Sequence, residues 1–468
     1  MTRADHPAFR PLALARVTLP HRIVRAATYD NLATPDGRPT ADQGDLFARL
    51  AAGGAGTIIT GFAYVSRQGR AMQAGQAGID ADDKIEPWRR VLEPVRRADP
   101  GAKVFLQIAH TGRQTISRAT GRPVVGAGPV RCTYFLSPVR TLTEAEVRAK
   151  VEEFVRAAER AQRAGFDGVQ VHAAHGYLVH QFLSPHTNRR HDAYGADPLR
   201  FLREIVAGIR ERTSLAVLLK LSGAEDQPRG LTIDRVVGYA RAIDGWGVDA
   251  LEISYGTMEI PFNIIRGGHP VDVALRHNFL FTRFGAPFIR FFRQFVYPWY
   301  KRRFIAYADL YNLGNARRIK QAVRTPVLVT GGVRSGDQIR RVLEEDGLDG
   351  VTLCRPFIRE PDLVRRLQDD PRWRSSCVSC NLCTVLCDSP HPLRCWLGDP
   401  AAAGGGGDRP HASRAAVAEP GEPPANRGDA LTHPPAASDD DPGHSGEHHG
   451  PSDRKADGAR GGPATCSS

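Results

Sequence analysis

Eight short runs of apolar, largely β-branched residues punctuate the chain, at 23–27, 57–63, 103–109, 168–174, 216–222, 250–256, 326–332 and 350–356. Each is nearly continuously apolar rather than alternating. That pattern predicts strands buried on both faces, as in a parallel sheet. Between the later runs lie segments with helical periodicity. The clearest is 144–164, with Val147, Val151, Phe154, Val155, Ala158 and Ala161 on one stripe. Thr143 and Glu146 precede it with the spacing of a capping box. Segments 199–212, 233–246, 315–323 and 335–345 read the same way. Strands alternating with helices predict an α/β fold. Eight such units favour a closed (β/α)8 TIM barrel over an open doubly wound sheet.

One interval breaks the rhythm. About 70 residues separate the sixth and seventh runs, and 262–310 reads as an insertion after the sixth strand. In a barrel it would emerge on the catalytic face and roof the site. From Arg276 to Phe304 it holds seven Arg or Lys, eleven Phe, Tyr or Trp and no acid. A helical pair covering the mouth with aromatic rings inward and arginines outward is one reading. A cationic lid over CoA-type substrates and an amphipathic helix on a membrane surface are the others.

Composition divides the chain. Up to about residue 398 it is globular in character, whereas 399–468 is dominated by Gly, Pro, Ala, Ser, Asp and His, with a GGGG run at 404–407. Such a tail buries too little apolar surface to offset its chain entropy, so disorder is expected. The expected layout is a barrel over 1–370, a Cys-rich extension over 371–398 and the tail. The formal net charge is +12, and the ten acids and six bases from residue 401 onward leave the remainder near +16. A basic, non-enzymatic nucleic-acid or membrane binder would fit such a charge, as would an anionic cofactor or substrate. No apolar stretch approaches a membrane span and no signal peptide is evident, so no transmembrane segment and a cytoplasmic location are expected.

Chemically capable groups gather at the C-terminal ends of the runs. Gln107 and His110 end the third; His172, His175 and Tyr177 follow the fourth; Lys220 sits in the fifth. Gly331 and Gly332 end the seventh, and Cys354 and Arg355 the eighth. A Gly-Gly turn feeding a helix, beside an arginine, offers backbone N–H groups and a forked cation to a phosphate. Five cysteines lie within 19 residues: Cys377, Cys380 and Cys383 in C-x2-C-x2-C spacing, then Cys387 and Cys395. Clustered thiols of this kind suggest a metal site rather than disulfides, iron–sulfur or all-thiolate zinc, with a metal-free reduced cluster as the bland alternative.

The stretch HAAHGYLVHQFLSPHTNRRHDAYG from His172 resembles the hallmark of the Old Yellow Enzyme family of FMN-dependent oxidoreductases. HRIVRAAT, FLQIAHTGRQ, VTGGVRS and LCRPFIREPDL extend the resemblance over about residues 8–398. It implies an enzyme in which FMN lies across the barrel mouth, reduced by NAD(P)H, and hydride passes from flavin N5 to an activated C=C of enone or enoyl type. By the same resemblance Thr28 lies near flavin C4 oxygen, Gly61 lines the ring, Gln107 bonds the pyrimidine edge and Lys220 stands beside N1 and O2. Gly331, Gly332, Cys354 and Arg355 fall at the phosphate end. His172 and His175 would bind the substrate carbonyl, and Tyr177 would donate the proton. The chain departs from the family at Ala26–Ala27, where a Pro-containing turn is usual, and at Cys354, often Gly.

The Cys cluster resembles that of the 2,4-dienoyl-CoA reductase and trimethylamine dehydrogenase branch, which carries a [4Fe–4S] cluster after the barrel. Cys377, Cys380, Cys383 and Cys395 are the expected ligands, with Cys387 the alternative fourth. That branch continues into dinucleotide-binding domains, for which this sequence shows no G-x-G-x-x-G signature. The reductant is therefore expected to enter the FMN site in turn, or electrons to arrive from a partner protein through the cluster. The latter would make the chain an electron-transfer or demethylase-like flavoprotein of the same fold.

Overall fold

The computed structural model describes residues 6–399; the tail expected beyond them lies outside the described residues. Eight parallel strands form one closed barrel: β1 (Ile23–Arg25), β2 (Thr57–Ile59), β3 (Lys103–Ala109), β4 (Gly168–Ala173), β5 (Ala216–Ser222), β6 (Ala250–Ser254), β7 (Val327–Thr330) and β8 (Gly350–Leu353). Consecutive strands pair, and β8 pairs back onto β1, so the sheet has no free edge within the ring. The open doubly wound alternative is thereby excluded.

The helices between them are α1 (Ala41–Ala52), α2 (Ile85–Ala98), α3 (Glu144–Ala164), α4 (Arg200–Arg212), α5 (Ile233–Ile243), α6 (Leu313–Lys320), α7 (Gly336–Glu344) and α8 (Leu363–Asp369). Their apolar stripes close on the outer faces of the strands; Phe154, Phe201, Ile205 and Val147 are fully buried in one continuous core. The cap foreseen at α3 is present. Thr143 Oγ1 accepts from Glu146 N–H at 3.3 Å, and Glu146 Oε2 accepts from Thr143 N–H at 2.8 Å. Gly165 ends the helix at φ 97°.

A hairpin, Leu12–Ala13 against Thr18–Leu19, floors the barrel. Leu12, Leu14 and Leu19 pack with Val24, Phe105, Leu218 and Leu328 into a separate apolar cluster. The N-terminal half of the bore is thus filled with hydrocarbon, which leaves the C-terminal mouth for chemistry. Strand register places the polar interior residues in layers. Gln107 lies opposite Gln170, and Lys220 stands level with both His172 and Glu252.

The insertion after β6 folds into short helices, Pro261–Ile264, Val271–His277, Ala286–Phe291 and Tyr297–Lys301, with a wide turn at Phe292–Val296. Its two ends reach the mouth through Ile264, Ile265 and Tyr311. The expected burial of its aromatic rings is found only in part: Phe279, Phe281, Phe292, Tyr297, Tyr300 and Phe304 are half-buried, whereas Phe284, Phe288, Phe291, Phe295 and Trp299 face outward. Only the ends of the segment reach the mouth, so its middle has no apolar wall there to meet. Among the described residues no helix is long and apolar enough to cross a membrane.

Candidate active site at the barrel mouth

A cavity of about 250 Å³ opens at the C-terminal ends of the strands. His172, His175, Tyr177, Thr28, Gln107, Lys220, Gly331, Gly332, Cys354 and Arg355 all line it. Gly61 does not. A Cβ there would meet Thr28 O at 2.9 Å, so its hydrogen lets the 28–29 backbone pass over β2.

The fourth strand end supplies one wall. The chain turns at His175 (φ 59°) and Gly176 (φ 80°), left-handed conformations that aim His175 and Tyr177 to the same side as His172. Ring centroids of His172 lie 5.0 Å from His175 and 4.7 Å from Tyr177. His175 Nε2 pairs with Ser254 Oγ at 2.8 Å, and its backbone N–H donates to Ser222 Oγ at 3.0 Å. Burial holds both imidazoles well below the usual histidine range; Lys220 adds to this at His172, and His172 and Lys220 add to it at His175. Both rings are therefore neutral. Because His172 Nδ1 accepts from Ala174 N–H at 3.3 Å, its one proton sits on Nε2. Burial, reinforced by the Asp388 carboxylate, raises the Tyr177 phenol above its ordinary value.

Beneath this wall lies a buried polar network that the sequence reading missed. Lys220 Nζ donates to Glu252 Oε1 at 2.7 Å. Gln107 Nε2 donates to Gln170 Oε1 and Gln170 Nε2 to Glu252 Oε2, each at 2.6 Å. Thr352 Oγ1 donates to Glu252 Oε1 at 2.8 Å. Glu252 is the fully buried hub that pairs with Lys220 and, through Gln170, points Gln107 across the bore. The available signal was a lone carboxylate inside an otherwise apolar strand.

At the opposite side, Gly331 (φ 114°) and Gly332 (φ 80°) make a turn that only glycine fits. A Cβ at Gly331 would lie 2.5 Å from the Tyr311 ring, and one at Gly332 2.4 Å from Leu310 N. Arg355 and Arg334 flank it; Arg334 was not foreseen. Arg355 Nη1 donates to Arg266 O at 2.8 Å and Asn381 Oδ1 at 2.7 Å, and Arg334 donates to Cys377 O and Ser379 Oγ. Two guanidinium groups beside a glycine cradle suit a phosphate. With neutral imidazoles, a glutamine and a lysine across the bore, the cavity has the donor set that FMN requires. Gly332→Ala is expected to destabilise the protein by about 1–3 kcal/mol and to weaken flavin retention, read as FMN released on gel filtration.

The C-terminal extension contributes the last wall through Thr384, Cys387, Asp388 and Leu393. Gln73 Nε2 donates to Asp388 Oδ1 at 2.7 Å, and burial pushes that carboxyl up to about 6. Cys377, Cys380, Cys383 and Cys395 line a second, much smaller cavity of about 20 Å³ beside Arg355 and Trp396. Cys387 is turned away from them, its thiol donating to Tyr29 O at 3.4 Å. Burial raises the Cys380 thiol and pushes Cys383 up to about 12. The expected metal centre finds no support in this geometry: among the described residues no three His, Cys, Asp or Glu side chains are gathered so as to hold a metal ion.

Acid should destabilise this fold. Burial holds His110, His172 and His175 neutral, whereas in the unfolded chain each takes a proton near pH 6.5. Their stabilising contribution is complete above that value and is lost as pH falls below it, by about 1.4 kcal/mol per pH unit for each ring. Urea unfolding midpoints should drop steeply on going from neutral pH toward pH 5. A flat profile across that window would show the rings to be charged or exposed.

Comparison with known proteins agrees with this geometry. The model of the NADH:flavin oxidoreductase / NADH oxidase family matches residues 7–286, and that of dihydrouridine synthases matches 305–388. The 4,4'-dithiodibutanoate disulfide reductase of Rhodococcus erythropolis is 30% identical over 395 residues, covering 82% of this chain and 94% of that protein. An NADPH dehydrogenase of Geobacillus sp. (strain WCH70) is 28% identical, covering 75% and 91%. The chain spans only about half of another relative, the NADH oxidase of Thermoanaerobacter brockii, at 29% identity, 79% of this chain and 52% of that one. In fold it is similar to morphinone reductase (TM-score 0.62, 23% identity, 80% and 93% covered) and to the old yellow enzyme homologue from Zymomonas mobilis (0.62, 22%, 80% and 95%). With its matching family model running through most of the barrel, the chain belongs to the NADH:flavin oxidoreductase / NADH oxidase family, as an NAD(P)H-dependent, FMN-binding oxidoreductase of the Old Yellow Enzyme type.

Proposed function

We propose that the enzyme reduces an activated C=C of enone or enoyl type, with NAD(P)H as reductant and Tyr177 as proton donor. The observation that carries this reading is the convergence of two neutral imidazoles and a phenol on one wall, with ring centroids 5.0 and 4.7 Å from His172. Gln107, Lys220 and Thr28 would hold the ring system of FMN, and Gly331, Gly332, Arg334 and Arg355 its phosphate. Bound FMN would supply the hydride. His172, protonated on Nε2, donates to a carbonyl oxygen in the cavity, and His175, braced by Ser254, supplies the second contact. Drawing electron density onto that oxygen leaves the β-carbon electrophilic. Tyr177 keeps its proton at neutral pH and delivers it to the α-carbon. Lys220, tethered by Glu252, supports negative charge at the ring edge. Phe62 packs on Tyr177 at 5.4 Å, and the extension supplies the wall on the opposite side.

This reading takes 1–370 as the FMN-binding barrel and 371–398 as its cap. It routes no electrons through the cysteines; iron, sulfide and zinc assays on anaerobically purified protein test that directly. The principal experiment is anaerobic. The purified protein should be yellow, bleach with NADPH or NADH, and recover its colour with 2-cyclohexenone. Bleaching without recovery by any enone or enoyl ester would reject the acceptor class. Since one relative is named for a disulfide, 4,4'-dithiodibutanoate is the second acceptor to assay.

A further inference from the structure

The outward aromatics of the insertion are not scattered. Phe284, Phe288, Phe291, Phe295 and Trp299 follow one another at intervals of four, three, four and four residues, so they form a single stripe along the 286–301 helical run. Their exposures are 38, 40, 54, 61 and 62%. They account for five of the seven exposed large hydrophobic residues among those described. The helical run is anchored from its other side. Phe292 packs on Phe281 at 5.1 Å, Tyr300 on Phe304 at 5.1 Å, and the Tyr300 hydroxyl donates to Glu259 O at 3.0 Å. The stripe is therefore held outward by packing and is not an unplaced core face.

Charge selects what covers it. Residues 283–303 carry Arg283, Arg290, Arg293, Lys301, Arg302 and Arg303, and no acid occurs between Asp272 and Asp309. Arg283 lies over the Phe284 ring at 4.9 Å at one end of the stripe, and Lys301 and Arg302 are exposed at the other. A second copy of the chain docked on this face would bring two such cation sets together across a twofold axis, at an electrostatic cost. An anionic surface satisfies the cations and the rings at once. Phe and Trp insert at the boundary between acyl chains and headgroups, while Arg and Lys reach the phosphates. No helix among the described residues can span a bilayer, so the contact would lie in its surface.

The geometry points to peripheral docking on an anionic phospholipid bilayer through the Phe284–Trp299 stripe. The test is co-sedimentation of the full-length, flavin-loaded protein with vesicles of phosphatidylcholine alone or mixed with phosphatidylglycerol. Binding is expected to the mixed vesicles and to weaken as salt is added. The triple substitution Phe291→Ser, Phe295→Ser, Trp299→Ser should lower the bound fraction by about tenfold or more. Lys301→Glu with Arg302→Glu should do so as well. Both variants should retain wild-type flavin content and enone turnover, since these side chains stand in solvent away from the cavity. Three outcomes overturn the proposal. One is no binding to the anionic vesicles at low salt. Another is equal binding by the triple variant. The third is a wild-type dimer in sedimentation velocity that the triple variant dissolves, which would assign the stripe to a second copy.

Discussion

Tyr177→Phe is expected to lower turnover of an enone by about 10²- to 10⁴-fold, the range spanned by loss of a positioned general acid. Anaerobic reduction of the flavin by NADPH should proceed at the wild-type rate. The separation follows from where the phenol sits. Tyr177 packs between Phe62 and His172, so Phe keeps the ring contacts and removes only the O–H. Nothing in the binding of FMN is then disturbed, and the defect should appear in the oxidative half-reaction alone. Stopped-flow traces of each half-reaction check this. Equal slowing of both would identify Tyr177 as a packing residue. His172→Ala should instead raise KM for the enone, because the role proposed for it is to grip the carbonyl oxygen.

Glu252→Leu is expected to destabilise the protein by about 3–5 kcal/mol, the cost of stranding one member of a buried ion pair. Three donors lose their acceptor together: the Lys220 ammonium, the Gln170 amide and the Thr352 hydroxyl. The double variant Lys220→Met, Glu252→Leu should recover a large part of the loss, because no uncompensated charge then remains in the bore. Urea unfolding of the two single variants and the double measures this coupling. If the effects simply add, Lys220 and Glu252 do not act as a pair. The double variant should nonetheless bind FMN poorly, since the cation is gone.

Much of the barrel could be read directly. The third and fifth strands match their apolar runs at both ends, 103–109 and 216–222, as does α3 at 144–164. Each is a long element whose period of burial is written into its residues. The helices α1 and α2 escaped notice for the converse reason. The first carries Gly44 and only three large apolar residues, Leu46, Phe47 and Leu50, and the second has Pro94 in its interior and two arginine pairs. They form because the neighbouring strands and each other supply the apolar partner. Cavity residues at strand ends were also legible, since polar groups emerging from continuous hydrocarbon stand out in sequence. Gly61 was placed on the ring by resemblance, yet the structure puts it beneath Thr28.

The sequence by itself determined the eightfold alternation, the mouth of the barrel as the place of chemistry, and the group His172, His175 and Tyr177. These follow from local periodicity and from a motif contiguous in the chain. Only the tertiary structure decided that Glu252 anchors Lys220, that Arg334 joins Arg355, that Cys387 and Asp388 enter the cavity while the other four thiols face a separate slot, and that the insertion turns five of its aromatics outward. The physical reason is distance along the chain. Each of those facts is a contact, or a missing contact, between segments tens to hundreds of residues apart, and register and packing alone bring such segments together.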